Sequence, residues 1–427
     1  MIMNKKYFMI LVMCSVMVYL PAQTKYNLND CKQMAIENNK KIKNSQLEIN
    51  VAKEAKKDAF TNYFPSVSAS GFGFKAKDPL VALNMGEAPI GFLKDGMTAA
   101  ISVSQPVFVG GKILYGNKLA DLSIQVSQYQ SRLLENDILL NTENLYWQLV
   151  SLSEKEKTLD IIDSQLDVLL KDVELSYKAG LITNNDVLKV KLKKNEIASN
   201  RINLDNDINL VKMSMCQLIG LELTISETFE ITAPNIEEVE SPAVYYVNHK
   251  DALPNRMESK LLDKNIEASK LHTKIKRADY LPTVAVGATY YKENFLDGWT
   301  GNGAVFVSVS IPLSGWWGGS HAIKQQRIKE QIASNEKSDM EEQLLLQMQK
   351  VRNDLDNAYK QILLAKEAIG QSSENLRLNN DYYKAGTVTL TDVLDAQSLL
   401  QQNRDRYVET YSAYEQKKIE YLQVTGR

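Results

Sequence analysis

Apolar residues recur every seven positions at Ile138, Leu145, Leu152, Leu159, Leu166 and Val173, and again at Met348, Leu355, Ile362, Ile369, Leu376 and Tyr383. A seven-residue repeat held this long is the seam of a coiled coil, in which one apolar stripe of a helix packs on a neighbour. From Lys112 to Lys178 only Gly116 interrupts the helical pattern. At 1.5 Å per residue such a helix extends roughly 100 Å, more than the core of a compact domain requires. Shorter helices are expected to return alongside, near Asp186 to Leu218 and Asp392 to Val424, and the segments Asn29 to Asn62 and Asn255 to Asp279 supply helix for the remaining length.

Four stretches show the other period. Val284, Val286, Ala288 and Tyr290 alternate with Thr283, Ala285, Gly287 and Thr289, and Val305, Val307, Val309 and Ile311 alternate with Phe306, Ser308 and Ser310. Earlier in the chain, Ser66 to Lys75 and Thr98 to Gln105 behave alike, with Ala99, Ile101 and Val103 on one side. Each is close to the roughly 9–11 residues that a tilted strand needs to cross a bilayer, and small polar residues fill the opposite face, as a watery lumen requires. Four strands cannot close a barrel, and an open edge cannot stand in lipid because its backbone groups go unpaired. Closure therefore falls to other copies. Two would make about eight strands with a filled interior; three would make about twelve and an open passage.

The whole pattern is written twice. Tyr177-Lys178-Ala179-Gly180, Thr183 and Asp186-Val187-Leu188 reappear 206 residues later as Tyr383-Lys384-Ala385-Gly386, Thr389 and Asp392-Val393-Leu394. At the same offset Gln217 and Gly220 become Gln423 and Gly426, and Pro106 becomes Pro312. Tyr63-Phe64-Pro65 and Tyr280-Leu281-Pro282 are 217 apart, so the first copy carries about 11 extra residues, expected in a loop. The first repeat is taken as 23–220 and the second as 251–427, with 221–250 between them. Each has a helix, two strands, a very long helix, a tight turn and a shorter helix. Gly180 and Gly386 suit the left-handed position that ends a helix, and Thr183 with Asp186, like Thr389 with Asp392, has capping-box spacing for the next.

Composition narrows the setting. Lys5 and Lys6, an apolar run from Tyr7 to Leu20, then Pro21-Ala22 read as a signal peptide over residues 1–22. Met13 before Cys14 argues against a lipid-attachment site there. No later stretch is apolar enough for a spanning helix. With 50 basic and 52 acidic residues, no single-sign field points to nucleic acid. Cys31 and Cys216, the cysteines left after cleavage, are too few for a disulfide framework. His249, His272 and His321 are scattered without ligand spacing, and no nucleophile elbow or phosphate loop occurs, so no metal, cofactor or enzymatic activity is expected. Trp316-Trp317 suits either an interfacial anchor or burial on the first helical turn.

On the paired turns at Tyr177 to Leu188 and Tyr383 to Asp395, and the Tyr-x-Pro strand entries at Pro65 and Pro282, the chain resembles the TolC family of outer-membrane efflux proteins. The resemblance covers nearly all of the mature chain. It implies a mixed α+β membrane protein: a homotrimer with a twelve-stranded barrel in the outer membrane, a helical coiled-coil barrel in the periplasm, and a belt to which 221–250 contributes. It also implies a passive exit duct for small molecules or proteins, working with a periplasmic adaptor and an inner-membrane pump. By residue matching, Asn185, Asp186 and Tyr383 belong to the network that holds the periplasmic tip shut, and Asp392 with Asp395 to an acidic constriction. The arginine typical of the family two residues after Gly386 is Val388 here. Asp186 and Asp392 also serve as plain helix caps, and Asp395, one turn on, is less well explained that way. Leu181, Ile182, Val388 and Leu390 are the apolar residues expected to meet an adaptor. The competing readings are an exported structural or adhesive coiled-coil protein, which leaves the strands unexplained, and an exported enzyme.

Overall fold

The computed structural model describes residues 25–427 apart from 85–88, 235, 237–238, 296–297 and 314. The expected signal peptide, with Lys5, Lys6 and Cys14, lies outside the described residues. The elements in order are β1 (Lys25–Tyr26), α1 (Leu28–Asn38), α2 (Lys40–Thr61), β2 (Ser66–Lys75), β3 (Val81–Asn84), β4 (Pro89–Phe92), β5 (Asp95–Phe108), α3 (Lys112–Lys178) and α4 (Asn184–Leu218). Then follow β6 (Glu230–Ile231), α5 (His249–Ala252), α6 (Met257–Ala278), β7 (Thr283–Glu293), β8 (Thr300–Ser310), α7 (Gly315–Lys384) and α8 (Leu390–Val424). The long helices α3 and α7 have 67 and 70 residues, and the returning α4 and α8 have 35 each. No described helix is long and apolar enough to cross a membrane. Contacts divide the chain into two compact units that cut across the repeats: residues 44–133 with 254–343, and the remainder.

The first of these units contains a four-stranded antiparallel sheet in the order β2-β5-β7-β8. Its register sorts the side chains. Val67, Ala69, Ile101, Val103, Ala288, Tyr290, Val305 and Val307 fall on one face, because Val67 pairs with Val103, Val103 with Ala288 and Ala288 with Val305. Ser66, Ser68, Ser70, Ser102, Ser104, Thr289, Ser308 and Ser310 fall on the other, where the Ser102 and Thr289 hydroxyls bond across strands at 2.9 Å. The apolar side is uncovered: Val305 is 85% exposed and Val307 69%. A soluble sheet hides such a face. The edge strands β2 and β8 have no further strand beside them among the described residues.

Three details differ from the sequence reading. The extra residues of the first copy are not a plain loop but include the short hairpin β3–β4. Strand β5 starts at Asp95 and continues through Pro106 to Phe108, with a register shift between the last two that accommodates a residue lacking a backbone donor. Helix is broken at Asn39, whose backbone is extended at ψ 126°; its Oδ1 accepts the Lys41 amide at 2.8 Å and its Nδ2 donates to the Leu218 carbonyl at 2.7 Å. Asparagine thereby ends one helix and starts the next.

The second unit is built from coiled-coil seams. Met348, Leu355 and Ile362 are completely buried, as are Leu166 and nearly Val173, while Leu145, Leu152, Ile369 and Leu376 at the same heptad positions are half-buried. Removing a fully buried leucine or isoleucine side chain here should cost about 2–5 kcal/mol. The connecting residues after α4 have little regular structure, so their carbonyls need outside donors. Tyrosines on α3 and α8 provide them: Tyr146 donates to the Thr232 carbonyl at 2.5 Å, Tyr407 to Ile236 at 2.9 Å and Tyr414 to Glu240 at 2.6 Å. Cys31 and Cys216 are free and buried in the same core, and burial, with the charge of Asp30 second, pushes the Cys31 thiol up to about 12. A thiol held protonated in this way is unreactive.

Candidate functional site

The two tight turns between long and short helices share a backbone. Gly180 and Gly386 take φ of 75° and 73°, the left-handed region that other residues enter only at a cost. Each glycine amide donates to the tyrosine three residues back, Tyr177 at 2.9 Å or Tyr383 at 3.0 Å, and the next residue donates five back, Leu181 to Ser176 and Thr387 to Tyr382, both at 3.0 Å. This is a Schellman end, which satisfies carbonyls that the helix leaves open. Three residues later both copies close a capping box. Asp186 Oδ2 accepts from the Thr183 amide at 3.3 Å and hydroxyl at 2.9 Å; Asp392 Oδ2 accepts from those of Thr389 at 2.8 and 2.7 Å. The Thr389 hydroxyl beside Asp392 holds its carboxyl below the ordinary carboxylate value.

Side chains around the boxes then diverge. Asp186 is half-buried and pairs with Lys189 at 3.5 Å, and the same Lys189 ammonium donates to the Thr391 hydroxyl, on the first turn of α8, at 3.0 Å. Tyr383 packs half-buried against the core formed by Val173, Val187 and Val190, and burial first, then the charge of Asp186, pushes its phenol up. Asp186 and Tyr383, expected to act together, are thus electrostatic neighbours within one chain. Further from the turn, Gln397 Nε2 donates to Gln165 Oε1 at 3.2 Å. Asn185, Asp392 and Asp395 are exposed.

The apolar residues expected on the outer surface of the turns separate. Leu181 is 77% exposed, and Ile182 and Val388 are half-buried. Leu390 is not available: it is 3% exposed and lies in the core with Leu394, Val187 and Val190. The first residue of α8 faces the neighbouring helices of its own chain. Lys189 went unrecognised in the sequence, where lysines along the helices look like a solvated face. Its signal is the repeat itself, since the position equivalent to Lys189 in the second copy is Asp395. Trp316 and Trp317 are exposed at the start of α7, and the Trp316 indole donates to the Tyr280 carbonyl at 3.2 Å. Among the described residues no group of histidine, cysteine or carboxylate side chains is arranged to hold a metal ion.

Residues 250–427 match the model of a family described as outer membrane efflux protein. No curated protein matches the chain by sequence. Among solved structures, its fold is similar to that of the outer membrane protein VceC from Vibrio cholerae, with a TM-score of 0.77 and 17% identity over 93% of this chain and 96% of that one. It is also similar to the CmeC outer membrane channel of Campylobacter jejuni, with a TM-score of 0.80 and 13% identity over 93% and 85% of the two chains. For the MtrE outer membrane channel of Neisseria gonorrhoeae the values are 0.72 and 11%, over 93% and 88%. At these identities the likeness is one of fold.

Proposed function

We propose, from the premise that this chain belongs to the outer membrane efflux protein family, whose model its second repeat matches and whose channel fold it has throughout, that three copies form a passive exit duct. The observation that carries the reading is the four-stranded sheet with one bare apolar face, an opposite face rich in serine and threonine that also carries Phe72, Phe74, Tyr291 and Phe306, and two edges unpaired among the described residues. In lipid the apolar face meets acyl chains, the hydroxyl face lines water, and each edge strand finds its partner on the next copy. Three copies give about twelve strands and a barrel wide enough to conduct. The hairpins of α3–α4 and α7–α8 supply the periplasmic part of the duct.

At the tips, threefold symmetry turns Asp392 and Asp395 into rings that favour cations. Lys189, paired with Asp186 on its own helix, holds the first hairpin to the second through Thr391, in place of the arginine that Val388 replaces. A periplasmic adaptor meets the tips through Leu181, with Ile182 and Val388 beside it, and an inner-membrane pump supplies the energy for export. The test is single-channel recording of the purified protein in a planar bilayer, with its mass in solution. Trimers giving a small, cation-selective conductance support the duct; monomers that never conduct refute it and favour a structural coiled-coil protein.

A further inference from the structure

The end of the sheet that joins the helices carries a charge that the rest of the chain does not. All four connected strand ends lie together, because Ser66 pairs with Ser104, Phe108 with Val284 and Thr283 with Ser310. The ten-residue stretches 52–61, 112–121, 270–279 and 315–324, which lead into or out of these ends, hold ten lysines and arginines against four carboxylates, whereas the whole chain has 50 against 52. Three of the four carboxylates are already engaged: Glu54 with Lys57, Asp121 with Lys56, and Asp279 with Lys112 and Lys276. Lys53, Lys118, Lys270, Lys274, Arg277 and Lys324 remain exposed with no carboxylate partner among the described residues.

Exposed aromatic residues stand at the same junctions. Phe60, Tyr63 and Phe64 cluster at the end of α2, with ring centroids 5.5 and 5.6 Å from Phe60, and Trp316 and Trp317 open α7. Aromatic side chains with bare apolar bodies settle at the boundary between acyl chains and headgroups. Lysine and arginine stems at that depth lie along apolar surface and lift their charges to the headgroup layer. Unpaired cations within about ten helical residues, roughly 15 Å, of the aromatic boundary therefore face phosphate-bearing lipid.

We propose that this basic and aromatic collar binds anionic phospholipid headgroups of the membrane leaflet that meets the helical end of the sheet. The proposal rests on the duct reading, because it needs the sheet to lie in the membrane. Charge complementarity selects the partner: zwitterionic lipid offers the cations no net charge, while each cation that reaches an anionic surface favours it by about fivefold. The test reconstitutes the full-length protein in vesicles of phosphatidylcholine with a minor fraction of phosphatidylglycerol, re-extracts it gently and measures retained lipid by mass spectrometry. The wild type is expected to retain phosphatidylglycerol several-fold above its bulk fraction, and the combined variant Lys118→Gln, Lys274→Gln, Arg277→Gln and Lys324→Gln to fall to that fraction while still conducting. Raising salt should erase the enrichment in the wild type, a check that needs no variant to fold. Retention at the bulk ratio, or enrichment that survives both salt and the variant, overturns the proposal. A wild type that enriches phosphatidylglycerol yet never conducts upholds the collar and the sheet's place in the membrane, and refutes conduction through it.

Discussion

At the first tip Asp186 sits half-buried beside Tyr383 and is answered by Lys189, which also reaches Thr391 on the other hairpin; at the second tip Asp392 is fully exposed and Asp395, in the position equivalent to Lys189, has no cation near it among the ion pairs described. The backbones are nearly the same, with both glycines near φ 75° and both threonine–aspartate boxes closed. One duplicated turn has therefore been assigned two electrostatic tasks by a single exchanged position. The first tip neutralises its carboxylate and ties two hairpins together. The second holds Asp392 in its cap and leaves Asp395 exposed, with no cation partner among the described ion pairs.

The largest effect on this contrast should come from neutralising Asp392 and Asp395 together by substitution with asparagine. Reversal potentials in a salt gradient are then expected to lose most of their cation preference, and an unchanged potential would remove the acidic ring from the account. Next, Gly180→Ala and Gly386→Ala should each cost about 1–2 kcal/mol, because an added Cβ meets no atom at either site and the whole penalty is the left-handed backbone. Equal drops in thermal midpoint confirm that the tips share their backbone logic; a large drop at one alone would show that they do not.

Lys189→Asp converts the first tip to the chemistry of the second. Losing a partly exposed link of about 0.2–1 kcal/mol should raise the ratio of open to closed channels by up to about fivefold, and more if the new charge repels Asp186. Recordings in which the variant stays as closed as the wild type would mean that Lys189 does not latch the hairpins. The smallest effect concerns pH. Asp392 is held below its ordinary value, so its capping contribution is fully present above about pH 4 and fades only as pH falls through the lowered value. Melting between pH 7 and 5 should therefore not distinguish Asp392→Asn from wild type by any pH trend, and a difference should shrink only in stronger acid.

Much of this is legible in the sequence alone. The long helices, the returning helices, the glycine turns and the four strands all follow from two hydrophobic periods and one offset of 206 residues. What escaped was non-local or short. Nothing in the sequence neighbourhoods of Tyr146, Tyr407 and Tyr414 says that their hydroxyls serve carbonyls at Thr232, Ile236 and Glu240. The β3–β4 hairpin has four residues a strand, too few for alternation to register. Leu390 looked like surface beside a turn because its burial depends on helices of the other repeat. Lys189 looked like one solvated lysine among many until its reach to Thr391 was visible.

The central claim is that the open edges of the sheet close across three copies. Cysteines placed on the outer rows of β2 and β8, such as Ser68→Cys with Ser308→Cys and neighbouring combinations that sample the register, test it directly, since the native Cys31 and Cys216 are buried. Oxidation in native membranes should give a denaturing-gel ladder of one, two and three linked chains that ends at three. Absence of cross-linking in every register, or a ladder that stops at two or runs on past three, would contradict a closed three-copy barrel.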